Sequence, residues 1–375
     1  MASEYYLKIN SVTLFALLNG MALTSTSVAY AKEIDRDYRS ARGLAMGNTG
    51  VASAEGADSL FYNPAGIANV RGIVNEIVLL SPQISIGEDT RSLYKDIKSK
   101  KDALTMVQEH TNRPQHAAVQ NFSGFIFRRV AFGLLESAQT DLFVGSDPLT
   151  GVTTAEAHGI ARTGAYFSLA KGFLNESLFI GMTGKFVQKI EVNISANAMN
   201  AERQLKGKSS QQLTNEYSRR GMGVGSDLGI LWKISNSNEK PVLGLTVRNI
   251  GMKYRWTIPD TAKPPSDDIR TVDLGFSVQP GTKKSHTTFA LDLKDVFNAR
   301  KEVIYKRIHA GGEISFQNVL GVLGGLNQGY ASYGGFVNLR IVRVEGGIYS
   351  EELGVFPGDR KSKRYFGRVS VGWVQ

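Results

Sequence analysis

The sequence predicts a fourteen-stranded antiparallel transmembrane β-barrel plugged by an N-terminal hatch, and three observations carry that prediction. Apolar and polar residues alternate with period two along segments of about ten residues, the signature of strands with one apolar and one polar face. The connections between these segments are alternately long and short. An export signal stands at the amino terminus, and behind it no apolar run approaches the ~18 residues of a transmembrane helix.

The amino terminus sets the compartment. Lys8 lies in a short polar opening, and Val12 to Leu23 is mostly apolar but broken by Thr13, Asn19 and Gly20. Ala29-Tyr30-Ala31 then supplies the small-x-small pattern cleaved by signal peptidase. Residues 1–31 therefore read as a signal peptide and the mature chain as starting near Lys32. The region is too short and too interrupted to anchor in a bilayer. A lipoprotein is excluded, because the sequence contains no cysteine.

The next segment, residues 32–71, reads as the plug. Small residues dominate Arg42-Gly43-Leu44-Ala45-Met46-Gly47-Asn48-Thr49-Gly50-Val51-Ala52. Asp58-Ser59-Leu60-Phe61-Tyr62-Asn63-Pro64-Ala65-Gly66 follows at once. Small side chains let a backbone pack closely against a wall. Pro64 fixes φ and removes a donor, and it biases Asn63 toward an extended or turn conformation, in which the Asn63 side chain can bond local backbone groups.

Residues 72–375 read as the barrel. From Met222 the even positions Val224, Leu228, Ile230, Trp232 and Ile234 are apolar, whereas Gly223, Gly225, Asp227, Gly229 and Lys233 are small or charged. The pattern returns at Val272, Leu274, Phe276 and Val278, at Phe289, Leu291 and Leu293, at Val342 and Val344, and at Val369, Val371 and Trp373. Strands are expected at about 73–86, 119–128, 130–143, 160–172, 176–193, 221–235, 240–254, 270–279, 286–297, 304–317, 319–328, 331–339, 341–351 and 364–374. Connections after odd-numbered strands are mostly long and those after even-numbered strands short, as expected when both termini are periplasmic. The connection at 329–330 breaks the rule. A soluble sandwich would alternate in the same way; the export signal, the long strands and the abundance of inward Gly and charge favour the barrel.

Composition excludes several functions. With no cysteine there is no disulfide, thiolate or cysteine-based metal site. The five histidines never pair at helical i, i+4 spacing. The 44 Lys+Arg against 34 Asp+Glu give a net charge of +10, but the charges are scattered. The nearest runs, Lys98-Ser99-Lys100-Lys101 and Arg360-Lys361-Ser362-Lys363-Arg364, fall in expected loops. Solvated loop charge or contact with anionic surface lipid explains them better than nucleic acid, which is not an expected partner. Gly181-Met182-Thr183-Gly184-Lys185-Phe186 lacks the spacing of a phosphate-binding loop, and Gly221-Met222-Gly223-Val224-Gly225 lacks the third glycine of a dinucleotide fingerprint. No Gly-x-Ser-x-Gly elbow occurs. The sequence therefore predicts no enzyme, no metal and no cofactor.

Two insertions stand apart. Residues 90–112 place Leu93, Ile97, Leu104 and Val107 at roughly helical spacing among Lys and Glu, which predicts an amphipathic helix over the barrel mouth or a lid over an entrance. Residues 194–220 read as a polar loop.

Residues 41–70 resemble the hatch of the long-chain fatty acid transporter superfamily of FadL-like barrels, in which an Asn-Pro-Ala motif lies in a plug inside a 14-stranded barrel. Here the motif is Asn63-Pro64-Ala65. Ala45 to Ala52 and Ala57 to Tyr62 look most similar to the branch that includes PorV and PorQ, associated with type IX secretion, as do Gly324 to Tyr330 and Gly346 to Gly354. The resemblance implies an outer-membrane location and passage of hydrophobic compounds, with Leu60, Phe61, Tyr62 and Ile67 as candidate lining. Inward positions rich in Gly, Asp, Lys and Arg depart from a wide apolar tunnel. They leave open a PorV-type role in receiving secreted cargo, or a structural barrel without transport. Expected partners are outer-membrane lipids and lipopolysaccharide, the barrel-assembly machinery, a hydrophobic small molecule, and secretion-system proteins or secreted cargo.

Overall fold

The computed structural model describes residues 33–69, 74–99, 109–146, 153–197, 216–235, 237, 239–257, 263–281 and 285–374. The expected signal peptide, Leu104 and Val107 lie outside these residues.

The strands are β1 (Val74–Leu80), β2 (Pro82–Gly87), β3 (Gln115–Phe127), β4 (Val130–Ser146), β5 (Thr153–Phe173), β6 (Leu178–Asn197), β7 (Ser218–Lys233) and β8 (Val242–Trp256). They continue as β9 (Thr271–Val278), β10 (Ser285–Leu293), β11 (Ile308–Phe316), β12 (Leu320–Asn327), β13 (Tyr330–Asn338), β14 (Val342–Glu352) and β15 (Lys361–Val374). From β3 to β15 each strand pairs antiparallel with its sequence neighbour. β1 and β2 both lie between β15 and β3, so together they form a single stave, which closes the sheet. The fifteen strands therefore make fourteen staves, in the order read from the periodicity.

The break inside the first stave is a bulge with a clear purpose. Leu79 and Leu80 are both exposed, after buried Val78 and before buried Ser81, and the register against β15 shifts between Val78 and Leu80. The extra residue resets the inside–outside alternation, which β2 then follows. Pro82 cannot donate to the ladder. Ser81 bridges the gap, its N–H donating to Asn121 Oδ1 at 3.1 Å and its hydroxyl lying 2.7 Å from that of Ser370.

The two faces separate as the alternation requires. Val224, Leu228, Ile230 and Trp232 point outward, as do Leu274 and Phe276, Phe289 and Leu291, and Val369 and Trp373. Asp227, Asp273, Asp292, Thr246 and Ser277 are buried inside. An apolar belt on the outside of a closed sheet with a polar interior is the arrangement a bilayer demands, since a sheet closed on itself leaves no free edge.

Strand height is uneven. β4, β5 and β6 run 17, 21 and 20 residues, whereas β9 to β13 run 8 or 9. A membrane strand needs about 9–11 residues, so the low side just spans and the tall side projects beyond. There it carries the helix Glu88–Lys98. The short turns at 128–129, 174–177 and 317–319 lie at the end where the plug joins the barrel, and the long connections at the other. Gln328 and Gly329, with φ of 52° and 85°, make a tight turn at the long-loop end.

Some boundaries differ from expectation. The strand expected at 286–297 ends at Leu293, because Asp295 takes a φ of 51° and its N–H donates to Asp273 Oδ1 at 2.8 Å. The strand expected to start at 304 starts at Ile308, after one helical turn. Residues 361–363 were expected in a connection but open β15, and Arg364 behind them is fully buried toward the lumen.

The helices are α1 (Ala41–Ala45), α2 (Ser59–Tyr62), α3 (Glu88–Lys98) and α4 (Ile304–Arg307), with 3₁₀ turns η1 (Gly56–Asp58) and η2 (Pro64–Ala68). α3 is the helical part of the first insertion. Its Leu93 is buried in a cluster with Leu142, Val144, Ala157 and Ile194 from the tops of the tall strands.

Candidate functional site: the plug and the lumen wall

Residues 33–69 run down the lumen from the long-loop end to the short-turn end. The first part is an extended strap. Its acidic residues at alternate positions face the tall strands: Asp35 pairs with Arg162, and Asp37 pairs with Lys185 at 3.1 Å and Arg162 at 3.5 Å. Glu33 pairs with Arg39 and with Arg364 at 2.8 Å. Arg36, on the opposite side, reaches Glu351 of β14 at 3.1 Å. Burial opposes ionisation of Asp37, but Lys185 and Arg162 override it and hold the carboxyl at about 2. Burial likewise opposes the Glu33 charge, and Arg364 and Arg39 overcome it, placing Glu33 well below the usual carboxylate range.

The second part is compact. Ser40 caps α1, its hydroxyl accepting from Gly43 N–H at 3.1 Å and also bonding Asp58. Gly47 and Asn48, both at a φ of 65°, reverse the chain. The chain then passes through η1 and α2 to Asn63, which is extended (φ −157°, ψ 106°) and caps η2 with Pro64 in its first turn. Asn63 uses its side chain completely. Oδ1 accepts from Ala65 N–H at 3.1 Å, and Nδ2 donates to Val51 O at 2.7 Å within the plug and to Ile230 O of β7 at 3.1 Å.

Wall side chains satisfy the plug backbone. Thr246 donates to Tyr62 O, Ser277 to Ala52 O and Ser332 to Ala45 O, each at 3.0 Å. Asp292 Oδ2 accepts from Gly50 and Val51 N–H at 2.7 and 3.0 Å, and His309 Nδ1 lies 2.9 Å from Gly47 O. Inward polarity on this wall therefore serves the plug, because irregular backbone out of bulk water needs a partner for every group. Closeness is made by glycine. A Cβ on Gly229 would collide with Asn63 Oδ1, on Gly181 with Pro64, and on Gly311 with Met46 O.

Leu60, Phe61, Tyr62, Ile67 and Ala65 are all buried. Phe61 stacks on Tyr38 with centroids 4.2 Å apart and meets Tyr166 and Phe122 edge-on at 4.8 and 5.6 Å. Thus Leu60, Phe61, Tyr62 and Ile67 form one apolar cluster joining plug to wall. The two cavities beside the plug carry charged side chains in their lining. One of about 300 Å³ near the mouth includes Asp35, Arg162, Lys189 and Asp268. Another of about 130 Å³, toward the opposite end, includes Arg42, Glu76, Glu313 and Arg343.

Among the described residues, two groups bring His and carboxylate atoms within 4.8 Å of one another, as a metal would require. In the group formed by Glu33, His116 and Asp141, Arg364 and Arg39 already neutralise the two carboxylates, so it stands as an ion-pair network. In the group formed by Asp96, Glu109 and His110, His110 Nε2 lies 3.0 Å from Asp96 and ties α3 to the chain beyond it.

The ion pairing of the strap was not among the expectations from sequence. The available signal was the period-two pattern Glu33, Asp35, Asp37 between Ile34, Arg36 and Tyr38.

No protein-family model and no curated protein sequence matches the chain. Among solved structures it is similar to the toluene transporter TbuX of Ralstonia pickettii, with 12% identity over 91% of this chain and 99% of that one and a TM-score of 0.52. It is also similar to the toluene transporter TodX of P. putida, with 11% identity, 91% and 100% coverage and a TM-score of 0.51. At these identities the likeness establishes the fold: an all-β, closed fourteen-stave barrel with an N-terminal segment ahead of it, as in bacterial outer-membrane proteins.

Proposed function

We propose that this protein is an outer-membrane conduit for hydrophobic compounds, similar to the long-chain fatty acid transporters, with no enzymatic role. In this reading residues 1–31 are removed on export, residues 32–71 are the hatch and residues 72–375 the barrel. One observation carries the proposal. The lumen is filled by the chain's own N-terminal segment, held to the wall by side-chain hydrogen bonds and ion pairs and, in a chain without cysteine, by no disulfide. Such a plug can shift and reseal.

The architecture shared with TbuX and TodX, both named as toluene transporters, supports a hydrophobic cargo. Asn63-Pro64-Ala65 is the natural pivot, since Asn63 alone links the cap of η2, the plug turn and strand β7. Displacement about it would expose Leu60, Phe61, Tyr62 and Ile67 as the lining of a path. The outer belt would contact membrane lipids and lipopolysaccharide, after insertion by the barrel-assembly machinery.

A second reading, closer to PorV and PorQ, is favoured by the charged lining of the cavities beside the plug. There the barrel receives secreted cargo or a secretion component at its mouth and passes no small molecule. One deletion strain separates the two. Slower uptake of toluene or a long-chain fatty acid, restored by the wild-type gene, supports the conduit. Normal uptake with secreted proteins retained at the cell surface refutes it in favour of the platform.

A further inference from the structure

Beneath the connection 294–307, at the barrel mouth, lies a cavity of about 40 Å³ whose lining is unbalanced in charge. A single water needs ~10–15 Å³ by this kind of volume, so the space admits a small polyatomic ion. Its carboxylates are Asp273, Asp295 and Glu302, and its cations are Arg36, Arg248, Lys294, Arg300, Lys306 and Arg307.

Following each charge to its partner locates the excess. Arg36 pairs with Glu351 at 3.1 Å, Arg248 with Asp273 at 3.8 Å and Lys306 with Glu302 at 3.0 Å. The Asp295 carboxylate is consumed by backbone, accepting from the Ala299 and Arg300 N–H groups at 2.9 Å each. Three cations remain, and among the described residues none has a carboxylate within ion-pair distance. Lys294 donates to Asn48 O, Arg300 Nη1 to Asp35 O at 3.2 Å, and Arg307 Nη1 to Asp295 O at 2.9 Å. The Nε atoms of Arg300 and Arg307 are buried without any hydrogen-bond partner.

Converging cations whose acceptors are neutral carbonyls repel one another strongly away from bulk water. The strain registers on Lys294, which burial and the nearby Arg36 push down to about 7.

We propose that this cavity is a binding site for a small inorganic oxyanion of the phosphate class, held by Lys294, Arg300 and Arg307. Guanidinium groups present paired donors that match tetrahedral oxyanions. The anion also has a structural consequence. Lys294 holds the plug turn at Asn48 and Arg300 holds the strap at Asp35. Occupancy therefore ties two plug contacts to the mouth loop.

The test uses the full-length barrel in detergent, in buffer free of other oxyanions, titrated with inorganic phosphate by calorimetry. Phosphorus NMR line broadening gives a parallel readout. One saturable site is expected, weakened at least about tenfold in Arg300→Gln and in Arg307→Gln. Lys301→Gln, which removes the same charge from an exposed position of the same loop, leaves it unchanged. Heat-modifiable migration confirms that each variant is folded, and either arginine variant alone suffices. Absence of saturable binding to the wild type, or equal weakening by Lys301→Gln, overturns the proposal. The result does not depend on whether the barrel transports anything.

Discussion

Replacing Asn63 by alanine isolates the plug from the barrel. Asn63 is 1% exposed, and its side chain makes three short hydrogen bonds: the η2 cap and the two donated to Val51 O and Ile230 O. Loss of an N-cap costs ~1 kcal/mol. Leaving two buried carbonyls short of a donor adds about 1–2 kcal/mol, since each keeps other surroundings but loses a well-aligned partner. The total, about 2–3 kcal/mol, falls on plug docking, because the ladder between β7 and its neighbours does not involve this side chain. At ~1.4 kcal/mol per tenfold, the undocked population rises about 30- to 140-fold.

Limited trypsinolysis in detergent reads this population through cleavage after Arg39 and Arg42, both held inside the lumen. Heat-modifiable migration reports on the barrel. Asn63→Asp is expected to be worse than Asn63→Ala at neutral pH, because it keeps the capping acceptor but turns a carboxylate onto two carbonyls. Cleavage equal to wild type in both variants would refute the pivot, and so would loss of the barrel itself together with the plug.

Four further outcomes follow from the same geometry. Gly311→Val, which drives a side chain into Met46 O, displaces the plug and admits large hydrophilic antibiotics to whole cells while the purified barrel still shows heat-modifiable migration. Acidification releases the strap. Asp37 lies near 3.8 when unfolded and at about 2 when docked, so its contribution of about 2 kcal/mol is full above pH 4 and lost as pH falls toward 2. Trypsin is inactive in that range, so pepsin cleavage of the strap measures it, and flat protection between pH 4 and 2 counts against the ion pairs. Leu93→Ala removes the buried anchor of α3 and destabilises its docking by about 2–4 kcal/mol; hydrogen exchange rises in 88–98 and not in the barrel strands. Leu291→Arg places a charge on the outer belt, at a cost of about 2–4 kcal/mol if at mid-bilayer, and lowers the urea midpoint of refolding into vesicles.

How much was legible depended on whether a feature repeats locally. Val224, Leu228, Ile230 and Trp232 announce an outward face through period two alone, and the stave count follows from such runs. The bulge at Leu79–Leu80 was hidden, since two successive leucines read equally well as one more apolar pair. Asp295 and the helical turn at Ile304 to Arg307 were missed because an apolar run such as Val296-Phe297 mimics a strand end. The strap escaped because its partners, Arg162, Lys185 and Arg364, lie more than a hundred residues away. Nothing near Asp35 or Asp37 in the chain indicates an ion pair.

The sequence alone determined that the chain forms a closed membrane sheet with a small-residue segment ahead of it, because alternation and turn spacing are properties of neighbouring residues. It also set the conformation around Asn63-Pro64, where a proline ring and a capping amide act locally. Only the tertiary structure decided what the inward charges are for. Thr246, Ser277, Asp292 and Ser332 satisfy backbone groups of the plug, whereas Lys294, Arg300 and Arg307 converge with no carboxylate among the described residues within ion-pair distance. Alternation reports which face a side chain takes. Which group it meets across the lumen depends on closure of the barrel, which brings distant staves around one segment.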